Sequence, residues 1–328
     1  MRRVPLCRAV IRAAVRACLA VAFGAAASAQ NFPARPIMLV VPYPPGGGND
    51  LIARIVAADM SPALGQPIVV ENRGGAGGTI ATRQVAHAAP DGYTLLVATS
   101  SLAINPSIYP NVGYDPRKDF SAVGLMAASQ NVLLVHPSVA ATSVGELISR
   151  AKAAPGKLTF ASTGGGNSVQ LAAELFAMMA DVKLTQVPYK GNAPALTDLL
   201  GGHVDMMFSP LPAAIGLVQD GKVRALAVTG VRRSPLFPDL PTIAQAGLPG
   251  YESELHYGIV APAGVPRPVI EKLNGALRAA LAAPDVARRL AADGAEVFAS
   301  TPDAHAADIA AEEAKWSAVV RKAGIRAE

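Results

Sequence analysis

Cysteine is almost absent from this chain of 328 residues, which has only Cys7 and Cys18. Both lie in a segment that reads as an export signal: five arginines at positions 2–16, an apolar run at 19–27 and the triplet Ala27-Ser28-Ala29. The run is much shorter than the roughly 20 residues that span a bilayer. We therefore predict a signal peptide at residues 1–29. The mature chain then lacks cysteine, which excludes disulfides, thiolate metal sites and cysteine nucleophiles.

An excess of basic charge is also missing once this leader is set aside. The chain has 29 Lys+Arg and 24 Asp+Glu, and removing the five leader arginines leaves 24 of each. A basic nucleic-acid surface is therefore not expected. No later segment is long and apolar enough to cross a membrane. The mature chain has 299 residues (328 minus 29), which is long for one compact core and predicts two lobes.

Strand, loop and helix patterns alternate along the mature chain. Buried strands are predicted at 37–41, 68–71, 94–98, 131–135, 158–161, 185–187, 204–208 and 225–229. Helices are predicted at 51–64, 79–88, 144–153, 169–180, 193–200, 213–220, 267–282, 284–293 and 302–322. This alternation predicts an α/β fold with parallel sheets. No low-complexity linker is present, so crossing strands are expected to join the lobes.

Two units share one design, a buried strand followed by a glycine-rich turn and a helix N-terminus. They are VVPYPPGGGND at residues 40–50 and LTFASTGGGNS at 158–168. Glycine lets the backbone approach a ligand, and the first helical turn offers unpaired N–H groups with partial positive charge. Both turns follow the carboxyl ends of strands, where ligands of open α/β sheets bind. Together they predict a cleft that holds an anion.

Nucleotide-binding and catalytic signatures are not found. A P-loop requires Gly-Lys-Ser/Thr, whereas these glycines lead into Asn49-Asp50-Leu51. No Gly-x-Ser-x-Gly or His-Glu-x-x-His motif occurs, and the five histidines are scattered. We therefore expect neither an enzyme nor a cofactor or metal ion. An exported hydrolase or transferase using Asp50 or Ser100 is a further alternative, which the sequence disfavours because no oriented base is visible.

Several polar residues have two interpretations. Asp50 stands at an expected N-cap, where its carboxylate would bond the next N–H groups or contact a ligand. Ser100 and Ser209 follow strands and either offer hydroxyls to a ligand or cap turns. Tyr43 is placed to wall a cleft, and Tyr189 either contacts the ligand or packs in the core. Trp316, the single tryptophan, is expected in the core or an interface.

The motifs in combination resemble one known family. FPARPI at 32–37, VVPYPPGGGND, VENRGGAGG at 70–78, APDGYTL at 89–95 and STGGGNS at 162–168 occur in order. They are followed by PYKG at 188–191, LLGGHVD at 199–205, ALAVT at 225–229, PDLPT at 238–242 and APAGVP at 261–266. This set is similar to the substrate-binding proteins of tripartite tricarboxylate transporters, the Bug/TctC family.

The resemblance implies a periplasmic binding protein of the type II-like fold. Two α/β lobes with parallel-rich sheets, joined by crossing strands, would close around a small carboxylate: a di- or tricarboxylate, an amino acid or an aromatic acid. It implies lobe 1 at residues 30–126 and 253–328 and lobe 2 at 127–252. Departures from many relatives, such as Asn49, Gly165 and Asn167, leave the ligand open.

The resemblance also implies which residues hold the ligand. The two glycine loops would bind its carboxylate, largely through backbone N–H groups and ordered water. The expected contacts are Tyr43, Pro45, Gly46, Gly47, Gly48, Asn49, Asp50, Ser162, Thr163, Gly164, Gly165, Asn167 and Ser168. Ser100 and Ser209 would face the far end, and Tyr189 is a further candidate.

The expected partners are the small carboxylate and the membrane subunits of such a transporter, with no nucleic acid and with the protein as a monomer. The alternative is a periplasmic sensor that presents its bound form to a membrane signalling partner. The sequence does not separate the two.

Overall fold

The structure is a computed structural model that describes residues 32–162, 167–189 and 191–326. The predicted signal peptide and the predicted contacts Thr163, Gly164 and Gly165 lie outside the described residues. Within them, no helix is both long enough and apolar enough to cross a bilayer.

The first third of the chain alternates strands and helices as the sequence predicts. Its elements are β1 (Ile37–Val41), α1 (Gly48–Leu64), β2 (Ile68–Asn72), a 3₁₀ turn (Ala76–Gly78), α2 (Thr79–Ala86), β3 (Thr94–Thr99) and α3 (Ser101–Ile108). Helix α1 ends at Gly65, whose φ of 70° places it in the left-handed region that favours glycine. Helix α3 was not predicted.

The remaining elements complete the α/β pattern. They are β4 (Phe120–Val135), α4 (Val144–Ala153), β5 (Thr159–Ser162), α5 (Ser168–Ala180), β6 (Thr185–Pro188), α6 (Asn192–Leu200), β7 (Met206–Pro210), α7 (Leu211–Gln219), β8 (Arg224–Val228), β9 (Glu254–Pro262), α8 (Arg267–Leu281), α9 (Pro284–Ala292), β10 (Ala295–Val297) and α10 (Pro302–Ala323). Ser143 and Thr301 cap α4 and α10 by accepting the N–H groups of Glu146 and Ala304. Strands β9 and β10 and the first eleven residues of β4 were not predicted.

The strands form one mixed sheet in the order β2-β1-β3-β9-β4-β7-β5-β6, with β8 and β10 also pairing with β4. The β1–β2, β1–β3, β5–β6 and β5–β7 pairs are parallel. The long strands β4 and β9 run antiparallel to their neighbours, so the expectation of parallel sheets holds only for the strand–helix–strand units.

Strand β4 belongs to both halves of this sheet. Residues 120–130 pair with β9, and residues 131–135 pair with β7 and β8. The division into lobes at 126–127 and 252–253 stays a prediction, and we propose it on this arrangement. Helix α10 departs from the proposed division: Ile309 packs in a cluster with β1 and β3, whereas Trp316 and Val320 pack in the cluster built largely from residues 132–251.

Candidate functional site

The first glycine turn sets the entry of the chain into helix α1. Gly46 has φ 86°, Gly47 is the N-cap, and the first helical N–H bonds run from Asp50 and Leu51 to the Gly47 carbonyl, both at 3.0 Å. The preceding N–H groups, of Gly48 and Asn49, therefore lie at the open end of the helix, where donors and the partial positive charge favour an anion.

Asp50 was expected at the N-cap, and this is wrong. It is the third helical residue, and its carboxylate reaches back to accept the Gly46 N–H at 3.0 Å and pairs with Arg54 at 2.9 Å. The hydrogen bond from Arg54 holds the pKa of Asp50 below its usual value despite burial. The N-cap of α1 is Gly47, three residues before the expected position, because the glycines allow the chain to turn there. Asp50 thus stabilises the loop that carries the helix end.

Hydroxyl groups from the turn after β1, from β3 and from α3 meet beside this helix end. Tyr43 Oη lies 2.6 Å from Ser101 Oγ and 3.2 Å from Thr99 Oγ1, and the latter two oxygens are 2.6 Å apart. The buried Ser100 hydroxyl accepts the His256 N–H at 3.2 Å. Ser100 is therefore engaged with strand β9 while it also lines a cavity.

The second glycine turn leads into helix α5 in a similar way. Asn167 is the N-cap, and its side-chain oxygen accepts the Gln170 N–H at 3.1 Å. Ser168 is the first helical residue. Its backbone N–H therefore lies at the open end of α5, as those of Gly48 and Asn49 do on α1.

Two adjoining cavities bring the helix ends together. One, of about 190 Å³, is lined by Tyr43, Asn49, Thr99, Ser100, Ser101, Ile104, Asn167, Ser168, Leu171, Ser253, Glu254, Leu255 and Trp316. The other, of about 320 Å³, is lined by Gly48, Ser129, Gln130, Asn131, Ser168, Pro210, Pro212, Ala213, Leu255, Tyr257, Asp293 and Gly294. Ser168 and Leu255 line both. The N-termini of α1 and α5 therefore share one cleft.

Charged groups in this cleft are of one sign. Among the described residues that line the two cavities there is no lysine or arginine, and the carboxylates are Glu254 and Asp293. Within the described chain, the buried Oδ1 of Asn49 has no hydrogen-bond partner. An anion in the cleft would therefore be held by helix ends and neutral donors rather than by a cationic side chain.

Other predicted contacts lie apart from these cavities. Ser209 is fully buried and donates to the Pro210 carbonyl at 3.3 Å, and its neighbour Pro210 lines the larger cavity instead. The Tyr189 hydroxyl donates to Asp198 at 2.7 Å, and burial raises its pKa to about 12. Ser162 is buried, and its carbonyl accepts the Tyr189 N–H. Pro45, Gly46 and Gly47 are exposed on the turn beside the cleft.

The sequence reasoning missed the contribution of β9 and α10. Glu254 and Leu255 begin β9, and the apolar run at 257–261 is the signal that would have identified a buried strand. Trp316 was expected in the core or an interface. It is 2% exposed, lines the smaller cavity and donates its Nε1–H to Glu312 at 2.8 Å.

A mixed α/β sheet crossed by two long strands, with two helix N-termini on one cleft, defines the class of solute-binding proteins. A family model described as tripartite tricarboxylate transporter family receptor matches residues 52–325. The chain belongs to this family, as the sequence motifs indicated, and the predicted fold class is confirmed.

Individual relatives support this assignment. Protein BugT of Bordetella pertussis is 39% identical over 301 residues, which cover 91% of this chain and 92% of BugT. The structure of Rpa4515 from R. palustris with adipate has 40% identity and a TM-score of 0.74, covering 90% of this chain and 99% of the other. MatC from Rhodopseudomonas palustris with bound malate has 37% identity and a TM-score of 0.69, covering 88% and 100%.

Proposed function

We propose that this protein is a periplasmic receptor that binds a small carboxylate in the cleft between α1 and α5 and delivers it to a tripartite tricarboxylate transporter. One observation carries the proposal: the N-termini of both helices line the same pair of cavities. Helix N-termini bind anions without a cationic side chain. Related proteins of known structure have adipate or malate bound.

The proposed carboxylate site consists of the Gly48 and Asn49 N–H groups on one side and the first turn of α5 on the other. Gly48 has no side chain and Ser101 and Ser168 have small ones, so the ligand has room to approach the backbone closely. No base-and-nucleophile set accompanies the site in the described chain, and we propose a binding role without catalysis. Export with cleavage near Ala29 and a monomeric state remain part of the proposal.

Ligand titration of the purified mature chain tests this function. A carboxylate that binds the folded state raises its stability, by about 2.7 kcal/mol at 100 times the dissociation constant. Thermal unfolding is followed with di- and tricarboxylates, amino acids and aromatic acids, and nucleotides serve as the contrasting anions. Stabilisation by nucleotides alone would contradict the proposal.

A variant at the helix end locates the site. Gly48 lines the larger cavity, and a Cβ placed on it would point to Asp293 Oδ2 at 3.2 Å. Gly48→Val is therefore expected to abolish carboxylate binding by filling the space before α1. Gly145→Val is the matched control, because Gly145 lies in the first turn of α4 and a Cβ there meets nothing within 4 Å. Equal affinities of the two variants would place the ligand elsewhere.

A further inference from the structure

Asp293 lies beside the proposed carboxylate site although it bears the same charge as the ligand. It is the C-cap of α9 and lines the larger cavity with Gly48. Its Oδ2 is 3.2 Å from the position that a Cβ of Gly48 would take. The two residues are distant in sequence, so the fold brings this carboxylate to the N-terminus of α1.

The position of Asp293 is unfavourable for a carboxylate in two respects. A helix C-terminus carries partial negative charge, which repels an anion. Partial burial also raises the pKa of Asp293 above its usual value, because the charged form loses hydration. Its side chain makes no hydrogen bond or ion pair to any residue that the structure describes. Asp220 caps α7 in the same way but is exposed and pairs with Lys222 at 2.9 Å.

Neutral acceptors surround the same part of the cleft. Tyr257 and Ser129 line the larger cavity with Asp293, and their hydroxyl oxygens are 3.2 Å apart. Burial raises the pKa of Tyr257 to about 12, so its hydroxyl stays neutral and can accept a hydrogen bond. Asn49, whose Oδ1 has no partner in the described chain, lines the adjoining smaller cavity instead. Asp293, Ser129 and Tyr257 together offer acceptors that match an ammonium, which has three donors and no acceptor.

We propose that Asp293 is a specificity-determining residue that receives the ammonium group of an amino acid whose carboxylate lies at the N-termini of α1 and α5. This inference rests on the proposed function. Asp293 and the α1 helix end are close together, so the ammonium and the carboxylate must be few atoms apart in the ligand, as in an α-amino acid. A second carboxylate in that place would face Asp293 and be repelled.

Matched ligand pairs test the inference by calorimetric titration of the mature protein at pH 7. Aspartate differs from succinate, and glutamate from glutarate, by one amino group. The wild type is expected to bind at least one amino acid of these pairs roughly 10-fold or more tightly than its partner, the effect of a hydrogen-bonded charge. Asp293→Asn should reduce this ratio towards one and bind the dicarboxylate as well as or better than the wild type. Asp220→Asn, the matched C-cap control, should keep the wild-type ratio.

The outcomes separate the two proposals. A protein that binds none of the carboxylates would overturn the proposed function, and the inference with it. Binding of the dicarboxylates with equal or higher affinity than the amino acids would leave the function in place and overturn the role of Asp293. If Asp293→Asn left the affinity ratio of amino acid to dicarboxylate unchanged, the role of Asp293 would likewise be overturned and the proposed function would remain. If Asp293 were only structural, its replacement would weaken both members of a pair alike.

Discussion

His256, on strand β9 behind the smaller cavity, is expected to make the stability of this protein depend on pH. Its Nδ1 is 2.8 Å from Asp308 Oδ1, and its Nε2 is 3.7 Å from Glu254 Oε2. Burial by itself lowers the pKa of His256, but the hydrogen bonds to Asp308 and Glu254 outweigh it and raise the pKa from 6.5 to about 10. Glu312 and His305 on α10 also face this group.

The sign and size of the effect follow from this shift. The folded protein binds the His256 proton more tightly than the unfolded chain, so the stabilisation is complete below pH 6.5 and is lost as pH rises towards about 10. Within this window the free energy of unfolding falls by about 1.4 kcal/mol per pH unit. Between pH 7 and pH 9 the loss is about 3 kcal/mol.

His305 acts in the opposite direction. It is 2% exposed, and burial lowers its pKa to about 4. The unfolded chain therefore binds this proton more tightly, and stability is lost as pH falls from 6.5 towards about 4. The two histidines together place the maximum stability near pH 6.5.

Urea denaturation of the mature protein at half-unit steps between pH 6 and pH 9 measures this slope. The mature chain has no cysteine to titrate in that range, and Trp316 is a single fluorescent reporter. His256→Gln should lower stability at pH 6 and flatten the decline between pH 7 and pH 9. The control His87→Gln changes an exposed histidine that bonds the Arg83 carbonyl in its own helix, and should keep the wild-type slope. A flat wild-type profile, or an unchanged slope in His256→Gln, would refute the reasoning.

Two further substitutions, Gly258→Ala and Trp316→Ala, and the control Gly275→Ala test the packing near the cleft by urea denaturation at pH 6.5. Gly258→Ala should destabilise the protein by about 1–3 kcal/mol, because the added Cβ would overlap the His305 ring. Gly275→Ala on α8, where an added Cβ meets nothing within 4 Å, should instead stabilise it by about 0.5–1 kcal/mol. Equal effects of the two substitutions would contradict a tight contact between β9 and α10. Trp316→Ala should cost about 3–5 kcal/mol and weaken ligand binding, since Trp316 is buried and lines the smaller cavity. If Trp316→Ala lowered stability but left the ligand affinity unchanged, Trp316 would not contribute to ligand binding.

The strand–helix–strand units could be predicted because their signals are local. Short runs rich in apolar residues identified β1, β2, β3 and β5, and helical spacing identified α4 over the same residues that the structure shows. Two of the missed elements lack such signals: helix α3 contains Pro106, and β10 has only three residues. Their conformation is determined by packing on neighbours that the local sequence does not reveal. Strand β9 begins with polar Glu254, but its apolar run at 257–261 is a local signal that was overlooked.

The two sides of the proposed site also differ in whether local sequence signals could predict them. The helix ends of the proposed anion site could be predicted, because a strand, a glycine turn and a helix are consecutive in the chain. The opposite lining could not, because Asp293 meets Gly48 only through the packing of α9 against α1, where Arg289 pairs with Asp59. Ser209 is a different case: its place at a strand end suggested a ligand contact, and the structure buries it with its hydroxyl bonded to the Pro210 carbonyl, so that its contact with a ligand stays a prediction.

Consecutive residues of strand β9 line the cleft and stabilise the contact with α10, so this strand connects ligand binding with the stability of the fold. Glu254 and Leu255 line the cleft, and His256 holds Asp308 of α10. Helix α10 in turn packs against both halves of the sheet and contributes Trp316 to the cavity. Glu254 is shared by the smaller cavity and by the charged network around His256. A ligand that changes the charge next to Glu254 must therefore change the pKa of His256, so that binding and proton uptake are linked through this strand.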